Sequence, residues 1–272
     1  MIFVFVAYKG GITLLLAFDV GNSNINVGLF YGNDIIGDLR IHTDINKTCD
    51  EFGLLILDYL ERKGIENKQI TGIIISSVVP IVTSQLKEMS SKWFGEKPVI
   101  VSSDLKLGIK IDYDNPNELG ADRIVNAVAG YAEYGGALII VDLGTAITFD
   151  VISEEGIFIG GAITAGIGTS IEALAGETAL LPKIDITQPL QAIGKNTISC
   201  MQSGFYFGFL GQIEEIIRRI SSELPNKPKV IATGGFCNKI ANNSGLIDHI
   251  DPDLTLKGLR LIYDRVILDK LD

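Results

Sequence analysis

Short apolar runs alternate along this chain with longer segments whose apolar positions recur every three or four residues, a pattern that predicts alternating strands and helices. Residues 14–19 run Leu-Leu-Leu-Ala-Phe-Asp, too short and too apolar for anything but a buried strand. Two more strands, 24–31 and 35–41, flank the turn Gly32-Asn33-Asp34. Thr48 or Asp50 can cap a helix over 51–63, where Phe52, Leu55, Ile56, Tyr59 and Leu60 share one face. A buried strand follows at 72–79, Pro80 opens a helix to 93, and 98–102 reads as another strand. Residues 110–119 are polar and turn-rich and lead into Gly120-Ala121-Asp122-Arg123, the start of a helix ending near Tyr134.

The plan then repeats. Strands are expected at 137–142, 148–152 and 157–163, with the turn Glu154-Glu155-Gly156 between the last two. A glycine-rich loop leads to a helix at 169–175; later come a helix from Thr197 or Ser199 to 224, a strand at 229–232, Thr233-Gly234-Gly235, and a helix near 256–271. Asp19 and Asp142 each end an apolar strand, each precede a glycine by two positions, and are offset by 123 residues. The glycine lets backbone N–H groups approach an anion, and the aspartate can hold a hydrated cation. One Asp-x-Gly turn would be ordinary. Two with matched flanks predict related halves, 1–136 and 137–272, with a nucleotide cleft between them and no linker.

At 272 residues the chain is long enough for two such domains, each with its own core. A formal net charge of −10 and no basic patch exclude nonspecific binding to nucleic acid or to an anionic membrane. Cys49, Cys200 and Cys237 are far apart and lack the spacing of a zinc site, which fits reduced thiols in a cytoplasm. The apolar start, residues 1–7, is broken at Lys9-Gly10-Gly11; it reads as neither signal peptide nor membrane span. Because the strand from Leu14 can begin the fold, residues 1–13 are expected to be a nonessential extension.

A P-loop motif is missing, the glycines from 160 to 168 do not fit a dinucleotide fingerprint, and the serines sit in no nucleophile elbow. His42 and His249 read as solvated or structural. The duplicated βββαβα plan resembles the superfamily of actin, hexokinase and acetate kinase. Within it, Asp19-Val20-Gly21-Asn22-Ser23-Asn24, Ile75-Ser76-Ser77-Val78-Val79-Pro80, Tyr113 and Pro116 before Leu119-Gly120-Ala121-Asp122-Arg123, Asp142 with Gly144-Thr145-Ala146, and Gly194, Asn196 and Thr197 before Gln202-Ser203-Gly204 resemble type III pantothenate kinases in order and spacing. The resemblance runs from Leu14 to the C-terminus.

That resemblance implies two actin-like (ribonuclease H-like) domains and transfer of the ATP γ-phosphoryl group to pantothenate, giving 4'-phosphopantothenate, the first step toward coenzyme A. It implies Asp122 as general base. It implies an ATP loop of Asp19, Val20, Gly21, Asn22, Ser23, Asn24, Ile25 and Asn26 with Thr145, and a pantothenate pocket of Tyr113, Gly120, Ala121, Asp122, Arg123 and Thr197. Asp19 is the implied handle for Mg²⁺ and Asp142 for a monovalent cation, K⁺ or NH₄⁺. The family also implies a homodimer whose interface completes the pocket, with Phe205, Tyr206, Phe207 and Phe209 at that contact or in the core. Ser23, where threonine is frequent, and Ile147, in the run after Thr145, depart from the family pattern. Other readings are a different small-molecule kinase or phosphatase of the superfamily, and a non-catalytic regulatory relative.

Overall fold

The computed structural model describes residues 14–269, so the expected extension over 1–13 lies outside the described residues. Their contacts divide them into two compact units. The first comprises residues 14–106, 120–125 and 259–269, and the second 107–119 and 126–258. The units are therefore discontinuous, where the repeat pattern suggests one cut between 136 and 137. The last helix sends Tyr263 back to strand 70–77, its hydroxyl donating to Thr71 O at 3.3 Å.

In the first unit, β1 (Leu14–Val20), β2 (Asn24–Tyr31) and β3 (Asp34–His42) form an antiparallel meander. Helix α1 (Cys49–Arg62) leads to β4 (Ile70–Ser77), parallel to β1. Helix α2 (Pro80–Met89) then leads to β5 (Val99–Ile100), and the sheet order is β3-β2-β1-β4-β5. Thr48 rather than Asp50 caps α1: its hydroxyl and Glu51 exchange bonds with each other's backbone N–H, a reciprocal capping box. β1 buries Leu15, Leu16, Ala17 and Phe18 completely. Each large apolar side chain so buried contributes about 1.5–3 kcal/mol. Leu16 and Phe18 pack with Phe52 and Ile56 of α1 and with Leu86 of α2.

Two expectations shift here. The helix from Pro80 stops at Met89 and continues as a wider turn over Ser90–Phe94, closed by Gly95 in the left-handed region (φ 70°). The strand expected over 98–102 stays in ladder register with β4 only at Val99 and Ile100, with one further bond from Val101 N to Ile75 O at 2.9 Å.

The second unit begins with a short strand inside the segment read as turn-rich, β6 (Lys110–Ile111). Helix α3 (Ala121–Tyr134) starts in the first unit and continues in the second. Then β7 (Leu138–Leu143), β8 (Ala146–Ile152) and β9 (Ile157–Ala165) repeat the meander. Helices α4 (Ile167–Glu177) and α5 (Thr197–Glu223) precede β10 (Lys229–Thr233), α6 (Cys237–Ile240) and β11 (His249–Ile250), and α7 (Leu254–Asp269) closes the described chain. β10 is parallel to β7, and the order β9-β8-β7-β10-β11 repeats that of the first sheet, with β6 added beside β9. The predicted duplication is thus present as topology. Of the glycines between 160 and 168, Gly160 (φ 128°) and Gly161 lie in β9, where a bulge interrupts pairing that then runs to Ala165, while Gly166 and Gly168 lie at the start of α4.

Candidate active site

The C-terminal ends of β1 and β4 carry the first group of residues. Gly21 N donates to Asn24 O at 3.0 Å and closes the turn after β1, and a Cβ at Gly21 would stand 3.2 Å from that same oxygen. Thr43, beyond β3, pins the turn at two points: its hydroxyl donates to Gly21 O at 2.7 Å and its N–H to Ser23 O at 3.0 Å. Asn22 is exposed, whereas Gly21, Ser23 and Asn24 are half-buried. Val20 and Ile25 belong to the core, so only their backbone can meet a ligand. Asp19 lies in register with Asn26 on one side and Ser76 on the other, and Asn26 Nδ2 donates to Asp19 Oδ2 at 3.2 Å.

Asp122 reaches this same end of the sheet. Val78, the first residue past β4, donates its N–H to Val20 O at 3.1 Å, and its Cγ1 lies 3.8 Å from where a Cβ on Gly120 would be. The bare backbone at Gly120 is a requirement, because a side chain there would come within 2.5 Å of Asp122 Oδ1. Glycine lets the carboxyl fold back over the start of α3, where Oδ1 accepts from Arg123 N at 2.8 Å. Burial pushes the Asp122 carboxyl above the usual range, while the Arg123 N–H and guanidinium oppose the rise. Ala121 and Arg123 are buried beside it.

The second group lies in the second unit, around the ends of β7 and β10. Gly144 N donates to Ala146 O at 3.0 Å, the counterpart of the Gly21 bond in a turn one residue shorter. Asn126 Nδ2 donates to Asp142 Oδ2 at 3.0 Å. Thr233 is paired in register with Asp142, as Ser76 is with Asp19. Gly234, in the left-handed region (φ 88°), turns so tightly that a Cβ would lie 2.3 Å from Asp142 Oδ1. Thr145 is exposed, and its carbonyl accepts from Gly166 N at 3.1 Å and from Thr169 Oγ1 at 2.7 Å.

Tyr113 follows β6 and sets its ring edge-on to Phe158, 6.0 Å between centroids. Thr197 is the exposed first residue of α5; Asn196, not Thr197, caps that helix, accepting from Ser199 N at 2.9 Å. Of the aromatic residues on α5, Tyr206 is core and receives a bond from Asn243 Nδ2 at 2.6 Å, Phe205 and Phe209 stack at 6.2 Å, and Phe207 is exposed.

No cluster of three or more His, Cys, Asp or Glu able to hold a metal occurs among the described residues. Asp19 and Asp142 each supply one carboxylate, so an ion there would take its remaining ligands from phosphate and water. The buried hydroxyls of Ser76 and Thr233, fully enclosed and without hydrogen-bond partners beside those two carboxylates, fit such a hydrated ion. No helix among the described residues is long and apolar enough to cross a membrane.

Sequence patterns located both turns and Asp122. They did not single out Asn126, Thr43 or Gly166. Gly-Ala-Asp-Arg is followed by Asn126 one helical turn after Asp122, which was the available signal; Thr43, through its hydroxyl and N–H, and Gly166, through its N–H, bond to turns about twenty residues away that no local pattern announces.

A family model described as type III pantothenate kinase matches residues 15–219. The chain is 46% identical over 252 residues to the type III pantothenate kinase of Moorella thermoacetica, covering 93% of this chain and 99% of that one. It is 47% identical over 249 residues to that of Dehalococcoides mccartyi, with 92% and 96% covered. Among solved structures, the activator of the 2-hydroxyisocaproyl-CoA dehydratase from Clostridium difficile, with bound ADPNP, superposes with a TM-score of 0.57 at 11% identity over 95% of this chain and 97% of that one, a likeness of fold.

Proposed function

The chain belongs to the type III pantothenate kinase family, and from that premise we propose that it transfers the γ-phosphoryl group of ATP to the primary hydroxyl of pantothenate. The product is 4'-phosphopantothenate, and the reaction is the first step of coenzyme A biosynthesis. Phosphoryl transfer asks a protein for positioning and charge stabilisation more than for covalent chemistry. The observation that carries the proposal is Asp122: a carboxyl of raised proton affinity, at the sheet end that bears the Asp19 turn, made possible by the bare Gly120.

In this reading the backbone N–H groups of the turn from Asp19 to Asn26, with Thr145, receive the nucleotide. Oδ1 of Asp122 is engaged by Arg123 N, which leaves Oδ2 to accept the proton of the substrate hydroxyl as its oxygen bonds to the γ-phosphorus and the bond to the ADP oxygen breaks. A raised proton affinity suits a base for an alcohol better than an ordinary aspartate does. Arg123 offers a bidentate fork to the pantothenate carboxylate beside Gly120 and Ala121, and the family resemblance assigns Tyr113 and Thr197 to pantothenate binding as well. Asp19 would hold Mg²⁺ and Asp142 a K⁺ or NH₄⁺ ion; when bound, these ions neutralise phosphate charge that no P-loop lysine meets here.

A homodimer in the cytoplasm is part of the same proposal. Exposed Leu190, Ile193, Ile198 and Phe207, before and along the start of α5, give the second unit apolar surface that a second copy would cover. The test is ADP release by the purified protein with ATP, Mg²⁺ and K⁺, with and without pantothenate. Release that requires pantothenate supports the proposal, and release supported equally by other alcohols or absent altogether refutes it.

A further inference from the structure

Both oxygens of the Asp142 carboxylate are constrained. Oδ2 accepts from Asn126 Nδ2 at 3.0 Å, while Oδ1 lies where a Cβ on Gly234 would approach to 2.3 Å and one on Gly144 to 3.5 Å. Asn126 itself is 1% exposed, and its amide oxygen accepts from Thr255 Oγ1 at 2.8 Å. These bonds form a series, Thr255 to Asn126 to Asp142, joining the body of α3, the first turn of α7 and the end of β7 within the second unit.

The series has a sense. A carboxylate only accepts, so Asn126 must present its NH₂ to Asp142, and its oxygen then faces Thr255, whose hydroxyl can donate. Flipping the amide would set oxygen against carboxylate in a buried site, where an unsatisfied polar contact is costly.

We propose that Asn126 is a positioning residue that aims the Asp142 carboxylate for nucleotide binding, with Thr255 fixing the sense of its amide. The inference rests on the pantothenate kinase reading. Asn126 acts through Asp142, so its contribution should vanish once that carboxylate is gone. A hydrogen bond to a buried charge corresponds to roughly ten- to hundredfold in a binding constant.

The experiment is a double-mutant cycle on the full chain, measuring affinity for a non-hydrolysable ATP analogue by calorimetry, alongside kcat and both Michaelis constants. Asn126→Ala is expected to weaken analogue binding roughly ten- to hundredfold and to leave the pantothenate KM unchanged. In an Asp142→Ala background the same substitution should change binding by less than about twofold. Thr255→Val should weaken binding in the same direction but less, and Thr255→Ser should restore it. An equal effect of Asn126→Ala in both backgrounds, or none in the parent, overturns the proposal. If Asn126→Ala does not fold, the Thr255 pair decides: Val binding as tightly as the parent, or Ser as weakly as Val, overturns it. Analogue binding needs no turnover, so a parent protein that binds the analogue but releases no pantothenate-dependent ADP refutes the kinase reading separately.

Discussion

Asp122 carries two opposed demands that can be measured apart. Burial raises its proton affinity, so charging it costs the folded state free energy above its ordinary carboxylate range, and that cost is absent at low pH, where folded and unfolded chains are both protonated. Asp122→Asn should therefore lose orders of magnitude in kcat while retaining ATP binding, and should raise Tm at pH 8 but not at pH 3; melting curves at the two values check the sign. With Asp122 as the proposed base, the acid limb of the wild-type kcat profile should fall above the ordinary aspartate range, because that carboxylate is protonated as pH drops through a raised value. Arg123→Lys should mainly raise the pantothenate KM, since an ammonium lacks the planar fork, and initial-rate kinetics over pantothenate concentration check it. Asp122 and Arg123 were legible because they stand in one contiguous motif. Asn126 was less so: its partners are 16 and 129 residues away, and a buried asparagine reads locally as any helix residue.

The strand ends are built from turns that tolerate little change. At Gly234 a side chain meets both a left-handed backbone and the Asp142 carboxylate, so Gly234→Ala should cost about 1–3 kcal/mol and weaken nucleotide binding, read by denaturant melts and calorimetry. Asp142→Ala should abolish activation by monovalent cations; a rate that keeps its full response to KCl would remove that role. The long meanders and amphipathic helices were readable from periodicity, because burial dictates which residues face the core. The two-residue strands β6 and β11 were not, since each is too short to show a period and is held only through a few backbone bonds to its neighbour. The expected strand over 157–163 stops two residues short because pairing across strands, rather than local composition, carries β9 to Ala165.

Across the whole molecule, duplication was the most legible feature, and it survives as one sheet order used twice. Less legible was how the chain is shared between the units, because the return of α7 depends on a fit between residues nearly two hundred positions apart. A Cβ on Gly72 would lie 2.1 Å from the Tyr263 hydroxyl, so that glycine exists to admit this ring. Removing the chain from Leu259 onward should therefore destabilise the first unit, seen as protease cleavage between residues 14 and 106 that the intact chain resists. The most direct trial of the enzyme's chemistry is ³¹P NMR of ATP, Mg²⁺, K⁺ and pantothenate incubated with the wild-type protein and, in parallel, with Asp122→Asn. The expected result is a phosphate monoester signal and ADP with the wild type, and neither with the variant over the same time. A monoester formed at comparable rates by both proteins, or by neither, would contradict the assignment of Asp122 as the base that delivers pantothenate to the γ-phosphate.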